Sequence, residues 1–219
     1  VLGRREERLR AVAAAGAAAG WATPDVTEEA ALAAALEARA VARGPVALLV
    51  NAAGEAGSAP FLRSDPALWE RMWRVNLMGT VAATRLVLPG MLQAGFGRVV
   101  NIASTAALRG YAYVAAYAAA KHAVLGLTRA LALEVAGRGV TVNAVCPGFT
   151  DTPLVADSIA RIVERTGRNE AEARAELTRH NPQGRLVRPE EVAAAVVFLC
   201  APDASAINGK AIAVDGGET

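Results

Sequence analysis

Arg98-Val99-Val100-Asn101-Ile102-Ala103-Ser104 is an apolar run that ends at a serine. It reads as a buried strand. Thirteen residues after that serine comes Tyr117-Ala118-Ala119-Ala120-Lys121, inside a helical stretch from Val114 to Gly137. On either side the same alternation continues. Upstream, Val46 to Asn51 reads as a fully buried strand that runs into the small-residue turn Ala52-Ala53-Gly54. Downstream, Val140 to Val145 is a strand that leads into Cys146-Pro147-Gly148. Helices are expected over Arg4 to about Ala19, Thr27 to Arg43 with Thr27 as N-cap, Asp65 to Gly95 in one or two pieces, and Pro189 to about Leu199. A weak strand near Trp21 to Thr23 and a last short one at Ala211 to Val214 complete the pattern. Strands alternating with helices predict an α/β fold, a doubly wound parallel sheet in one domain over residues 1–219.

Bulk properties narrow the function classes. Apolar residues make up 53% of the chain and aromatics only 5%, which suits alanine-rich helices packed on Val/Leu/Ile strands. A net charge of +2, with bases and acids interspersed, gives no electrostatic footprint for nucleic acid. Cys146 and Cys200 lack metal-like spacing and read as free thiols of a reducing cytoplasm. His122 and His180 are far apart, so no metal site is expected. No uninterrupted apolar run reaches the ~18 residues of a membrane span, and the charged opening Val1-Leu2-Gly3-Arg4-Arg5-Glu6-Glu7-Arg8 is not a signal peptide.

Residues at i and i+4 share a helix face, so the Tyr117 phenol and Lys121 ammonium project side by side. A cation held near a phenol stabilises the phenolate and lowers a pKa that is ordinarily near ~10. A serine hydroxyl nearby could hold a carbonyl or alcohol oxygen. Together, the three groups suit proton transfer at oxygen while hydride moves at carbon.

Taken with Leu48-Leu49-Val50-Asn51-Ala52-Ala53-Gly54, Val75-Asn76-Leu77-Met78-Gly79-Thr80 and Val140-Thr141-Val142-Asn143-Ala144-Val145-Cys146-Pro147-Gly148, this ordered set resembles the short-chain dehydrogenase/reductase family over about residues 1–217. The resemblance implies a Rossmann-like fold and a four-residue catalytic site. Tyr117 would be the acid in reduction and the base in oxidation. Lys121 would lower its pKa and bind the nicotinamide ribose. Ser104 would orient the substrate oxygen, and Asn76 would hold a water that relays protons from Lys121. Family members carry a Thr-Gly-x-x-x-Gly-x-Gly turn for the pyrophosphate. No such pattern occurs in these residues, and the expectation is that the first strand and this turn precede Val1 in a longer chain.

The resemblance also assigns cofactor contacts. With Leu2-Gly3-Arg4-Arg5 at the end of the family's second strand, no acid is present for a ribose 2′-hydroxyl. Arg4 and Arg5 suit a 2′-phosphate instead, which favours NADP(H) over the alternative NAD(H). Asp25 and Val26 would flank the adenine, although Asp25 could instead be a helix cap. Asn51, Ala52, Ala53 and Gly54 would run beneath the cofactor, with Asn51 mainly bracing the sheet. Pro147, Gly148, Thr150 and Thr152 would clasp the nicotinamide amide. Residues 153–188 would form a substrate lid, rich in arginines balanced by acids. Ala106, Phe149 and Leu154 would line a modestly apolar pocket with Glu55 at its mouth. D-3-hydroxybutyrate dehydrogenases of the family carry a histidine and a lysine where this chain has Ala106 and Val114, which makes a free small carboxylate a poorer substrate. The implied reaction interconverts a small-molecule ketone and secondary alcohol, with a 3-oxoacyl thioester favoured. A sugar, steroid or aliphatic alcohol dehydrogenase and a catalytically silent nucleotide-binding relative are the alternatives. The implied assembly is a homotetramer, or failing that a dimer.

Overall fold

The computed structural model describes residues 1–219. Four strands, β1 (Leu48–Asn51), β2 (Gly97–Ile102), β3 (Val140–Pro147) and β4 (Ala211–Val214), lie side by side in the order β1-β2-β3-β4. Every pairing is parallel. Parallel neighbours need crossovers, and each is helical. The helices are α1 (Glu6–Ala14), α2 (Glu29–Arg43), α3 (Pro66–Trp73), α4 (Gly79–Ala94), α5 (Ala115–Val135), α6 (Pro153–Thr166), α7 (Glu170–Thr178) and α8 (Pro189–Cys200).

Successive strand side chains go to opposite faces, and the valines of the central strands show it. Val99, Val140 and Val142 pack with Val87 and Met91 of α4 and Ala132 and Val135 of α5. Val100 and Val145 pack on the other face against Leu199 of α8. The central strands are therefore apolar at nearly every position. β1 is the exception to the expected full burial: Leu48 is 49% exposed and Val50 42%. Leu49 points to the α4 side, whereas α8 packs mainly on β2, β3 and β4. The strand has one covered face and one open face.

Four of the polar residues in this core form a connected set. Asn51 and Asn101 are register partners on β1 and β2. Asn51 Nδ2 donates to Asn101 Oδ1 at 2.9 Å and to Thr84 Oγ1 at 3.1 Å, and Asn101 Nδ2 donates to Thr128 Oγ1 at 2.9 Å. The ladder ties α4, β1, β2 and α5 together. Each bond contributes about 1 kcal/mol net, but an orphaned member would cost about 1–3 kcal/mol.

Residues 66–94 form one continuous helical body rather than two. Asp65 caps it by accepting from Leu68 N at 2.7 Å, Pro66 opens it, and Gly95 closes it at φ 65°. Its middle, Arg74–Met78, widens into a π-turn. This helix is also apolar enough, by length and composition, to span a membrane, and half of its most apolar window is buried inside the fold.

The N-terminal region departs most from expectation. The helix expected over Arg4 to Ala19 is only α1, which buries no residue. The expected strand near Trp21 shrinks to one bridge, Leu2 to Ala22. Thr27 does not cap α2. Glu28 occupies that position without a side-chain bond, and Thr27 N and Oγ1 both donate to Asp25 Oδ1, at 2.9 and 2.8 Å. Asp25 is thus a turn-forming acid.

Candidate active site

The carboxyl ends of β1 and β2 and the first turns of α5 meet at one place. β2 ends at Ile102, two residues earlier than the sequence suggests, and Ser104 caps a short 3-10 turn, Thr105–Ala107. Its Oγ accepts from Ala106 N at 3.1 Å, which fixes the hydroxyl. The chain then loops to α5. Tyr113 on that loop is the one non-glycine residue with positive φ, at 68°, a conformation that costs energy and must be held by its surroundings. Its carbonyl accepts from Ala59 N at 2.8 Å, pinning the loop four residues before Tyr117.

Lys121 is 4% exposed, and its Nζ donates to Ile102 O at 2.9 Å. The same Nζ lies 5.8 Å from the centroid of the Tyr117 ring. The ammonium therefore sits between the end of β2 and the phenol. Burial, slightly offset by Cys146, pulls Lys121 down to about 8. Burial pushes Tyr117 above its ordinary value, and the adjacent Ser104 side chain pulls partly back. This corrects the expectation that Lys121 would depress Tyr117. Desolvation of the phenol dominates, and the Lys121 ammonium, engaged with a backbone carbonyl, does not offset it.

Asn76 sits in the π-turn, 1% exposed. Its Oδ1 accepts from Glu55 N at 3.2 Å, and its Nδ2 donates to Glu55 O and to Met72 O, both at 3.0 Å. The amide grips the loop after β1 from both sides. π-turns of this kind re-aim a side chain without breaking the helix. A Cβ placed on Gly54 would lie 3.1 Å from Asn76 Oδ1 and 3.6 Å from Lys121 Nζ, so the glycine lets the β1 loop approach both groups. Ala52, Ala53 and Gly54 are exposed at this edge, while Asn51 is buried in the ladder.

The β3 end forms the opposite wall. Gly148 N donates to Val214 O at 3.0 Å, and a Cβ there would meet Asp215 at 3.2–3.3 Å. Thr150 Oγ1 donates to Gly148 O at 3.0 Å, and Thr152 Oγ1 to Thr150 O at 3.2 Å. Pro147, Gly148, Thr150 and Thr152 are all half-buried.

Not every expected residue joins the site. Ala106 is 3% exposed, shut in by the 3-10 turn that fixes Ser104, so it offers almost no surface to a pocket. Leu154 is 40% exposed on α6. Phe149 packs against the α6–α7 cluster and edge-on to Tyr111, with ring centroids 6.2 Å apart. Glu55 pairs with Arg71 at 2.8 Å. Arg4 lies 3.4 Å from Asp25, and Arg5 stands exposed before α1. Val26 packs over Gly79 at the head of α4. Within residues 153–188, Arg168, Arg174, Arg179, Arg185 and Arg188 each lie within 4.0 Å of a carboxylate. Sequence reasoning missed Thr105, Tyr111 and Glu218, which interlock beside Gly148. Their partners are too far apart in the chain for any local pattern to reveal them.

Small exposed residues at the β1 edge, a glycine cradle facing Lys121 and a second glycine at the β3 wall leave room for a flat, extended cofactor. The residues present therefore fit a nicotinamide nucleotide.

The family model described as enoyl-(acyl carrier protein) reductase matches residues 2–219. An acetoacetyl-CoA reductase of Rhizobium meliloti is 42% identical over 80% of this chain and 68% of its own length. A protein of Xanthobacter autotrophicus described as an inactive 2-(S)-hydroxypropyl-CoM dehydrogenase is also 42% identical, over 96% of this chain and 89% of its own. Among solved structures, a point variant of actinorhodin polyketide ketoreductase with NADPH superposes with a TM-score of 0.94 at 39% identity, covering 100% of this chain and 86% of the other.

Proposed function

The chain belongs to the short-chain dehydrogenase/reductase family, and we propose from its site that it interconverts a ketone and a secondary alcohol using NADP(H). The observation that carries this reading is the convergence of Ser104, Tyr117, Lys121 and Asn76 where β1 and β2 end. When bound, the nicotinamide supplies or accepts hydride at the substrate carbon. Ser104 Oγ donates to the substrate oxygen and orients it. Tyr117 gives its proton to that oxygen in reduction and takes it back in oxidation. The raised phenol value keeps Tyr117 protonated at neutral pH, which suits reduction. Lys121 holds the ribose and places positive charge beside the phenol. Asn76 anchors the β1 loop and, through the widened helix turn, carries protons between Lys121 and solvent by a bound water.

Ala52, Ala53 and Gly54 would lie under the cofactor, and Pro147, Gly148, Thr150 and Thr152 would clasp its amide. Arg4 and Arg5 favour the 2′-phosphate, supported by the NADPH of the actinorhodin ketoreductase structure. NAD(H) is the alternative carrier. Asp25 Oδ2 accepts from Arg4 at 3.4 Å, and its remaining lone pair would accept from the adenine amino group. A 3-oxoacyl thioester is the favoured substrate, supported by the acetoacetyl-CoA reductase similarity. Five arginines of residues 153–188 are ion-paired, so an anionic carrier would meet Arg161 or Arg165, and Phe149 and Leu154 would recognise the acyl end. The inactive relative favours a second reading, a silent nucleotide-binding protein. The complete Ser104, Tyr117 and Lys121 set weighs against it.

The chain would act as one catalytic domain whose α6–α7 segment closes the pocket. The free thiols Cys146 and Cys200 suit a cytoplasmic location. A homotetramer is supported by exposed Trp73, Met78 and Leu133 on the α3–α5 side, at 47%, 45% and 83%, and by Val197 and Phe198 on α8, at 70% and 56%. A monomer in light scattering would refute that assembly.

The test is a titration of the protein with NADPH and NADH, followed by acetoacetyl-CoA with absorbance read at 340 nm, beside Tyr117→Phe. NADPH consumption abolished in the variant is expected. Binding without turnover of any carbonyl in a panel of ketones would leave the silent reading standing, and failure to bind either nucleotide would overturn the proposal.

A further inference from the structure

Behind the wall opposite Lys121 lies a group of polar residues that the mechanism does not use. Tyr111, on the loop between Ser104 and Tyr117, donates its phenolic proton to Glu218 Oε1 at 2.7 Å. The phenol has one proton, so its contact with Thr105 Oγ1, at 2.8 Å, is completed by the threonine hydroxyl donating to it. Thr105 directly follows Ser104. The Glu218 side chain is only 2% exposed. Arg109 closes the group: its Nη1 donates to Glu218 O at 3.2 Å and approaches the carboxylate at 4.0 Å, and its guanidinium lies 5.2 Å from the centre of the Tyr111 ring. Glu218 Oε2 would lie 3.5 Å from a Cβ on Gly148. The Tyr111 ring meets Phe149 edge-on.

A buried carboxylate is costly to desolvate and persists where partners hold it. Here every partner belongs to the substrate side of the site. Glu218 comes from the segment after β4, is locked by Tyr111 and Arg109, and leaves the Tyr111–Phe149 pair as a fixed aromatic wall between the serine loop and the β3 end.

We infer that Glu218 is a positioning residue that fixes Tyr111 against Phe149, and that this clamped wall sets how large a carbonyl substituent the enzyme accepts beside Ser104. The inference rests on the oxidoreductase reading above and adds a determinant of specificity to it. A ring fixed at two ends cannot swing aside, so bulky ketones meet a rigid surface. A hydroxyl-less Tyr111→Phe or an uncharged Glu218→Gln loosens it.

The experiment uses the whole chain with NADPH and two ketones, cyclohexanone and the fused two-ring 2-decalone. Tyr111→Phe and Glu218→Gln are each expected to shift the ratio of the two kcat/KM values by about 10-fold, chiefly through KM, in line with pocket-shape discrimination. NADPH affinity is expected to stay unchanged. Glu218→Gln, which keeps an acceptor oxygen, should shift it less than Glu218→Leu. In parallel, thermal unfolding of Tyr111→Phe, Glu218→Leu and the double variant should be non-additive, because each single change removes the same bond. Additive unfolding effects overturn the clamp. Non-additive unfolding with an unchanged substrate ratio leaves the clamp purely structural and overturns its role in specificity. If the unmodified chain reduces neither ketone nor acetoacetyl-CoA, the oxidoreductase reading itself fails and takes this inference with it.

Discussion

The Ser104–Lys121 side of the site and the α6–α7 segment are built on opposite principles. On the first side, polar groups are buried and each is held by a specific partner: Lys121 by Ile102 O, Asn76 by the Glu55 backbone, Asn101 by Asn51 and Thr128. On the second, charges are exposed and pair with one another across a small apolar cluster of Val155, Ile159, Ala173 and Leu186. Buried polar groups are costly to misplace, so they fix geometry. Exposed ion pairs contribute little and can rearrange. On the proposed function, the difference would place the chemistry in the rigid half and leave the α6–α7 segment free to vary with the substrate.

Lys121 puts this contrast under the greatest stress. Lys121→Met should reduce kcat by roughly 10²-fold or more, the scale of lost proton-transfer assistance. It should also reveal a cost. Lys121 stands at about 8 when folded, below the 10.5 of an exposed lysine. A cation whose folded value is lowered costs stability wherever it is protonated, here below about pH 8, and that cost fades as pH rises from about 8 towards 10.5. In the nucleotide-free protein, Lys121→Met should therefore gain stability relative to wild type near pH 7. Removing the donor to Ile102 O offsets part of the gain, and the advantage should shrink by pH 9.5. Comparing the two proteins cancels the opposing effect of Cys200, and carrying Cys146→Ala in both removes that of Cys146, which interacts with Lys121. Denaturant unfolding at both pH values measures it. A gap that does not change with pH would show that Lys121 is not strained by burial.

The next effect is on the ladder. Asn101→Leu removes the acceptor for Asn51 and the donor to Thr128, both buried. The expected loss is about 2–4 kcal/mol, seen as a fall in Tm of roughly 5–15 °C for a chain of this size. A loss below about 1 kcal/mol would mean that water replaces the ladder and that the rigid half is less rigid than its bonds suggest.

The legibility of the sequence followed the same divide. The parallel sheet and the site at the ends of its strands could be read because a doubly covered strand must be apolar at every position and a helix places i and i+4 together. The open face of β1 was not legible, because Leu48 and Val50 look as buried as Val99 and Val100 until the reach of α8 is known. The resting state of Tyr117 and Lys121 was not legible either, since spacing gives proximity but not the degree of desolvation. Thr27 illustrates the limit of local rules. It has the chemistry of a cap, and the adjacent Asp25 takes both its donors.

The mildest consequence is expected where residues 153–188 meet α8, at Glu191. Its two oxygens accept from Arg185 at 2.7 and 2.8 Å and from Arg188, side chain and backbone, and these bonds pull its carboxyl down to about 2. By geometry this is the best-formed ion pair in the lid region. A carboxylate with a depressed folded value stabilises above its unfolded value near 4.5 and loses that contribution as pH falls from there towards 2. The pair faces solvent, however, where water and salt screen it. Glu191→Gln should leave the unfolding midpoint at pH 7 within about 2 °C of wild type and leave kcat unchanged. Any difference should fade as pH falls below 4.5 and vanish only near pH 2, or vanish in 1 M salt. A large loss at neutral pH that persists in salt would show that this fork does for the α8 entrance what the Asn51–Asn101 ladder does for the sheet, and the division between a rigid half and an adaptable one would have to be redrawn through residues 185–191.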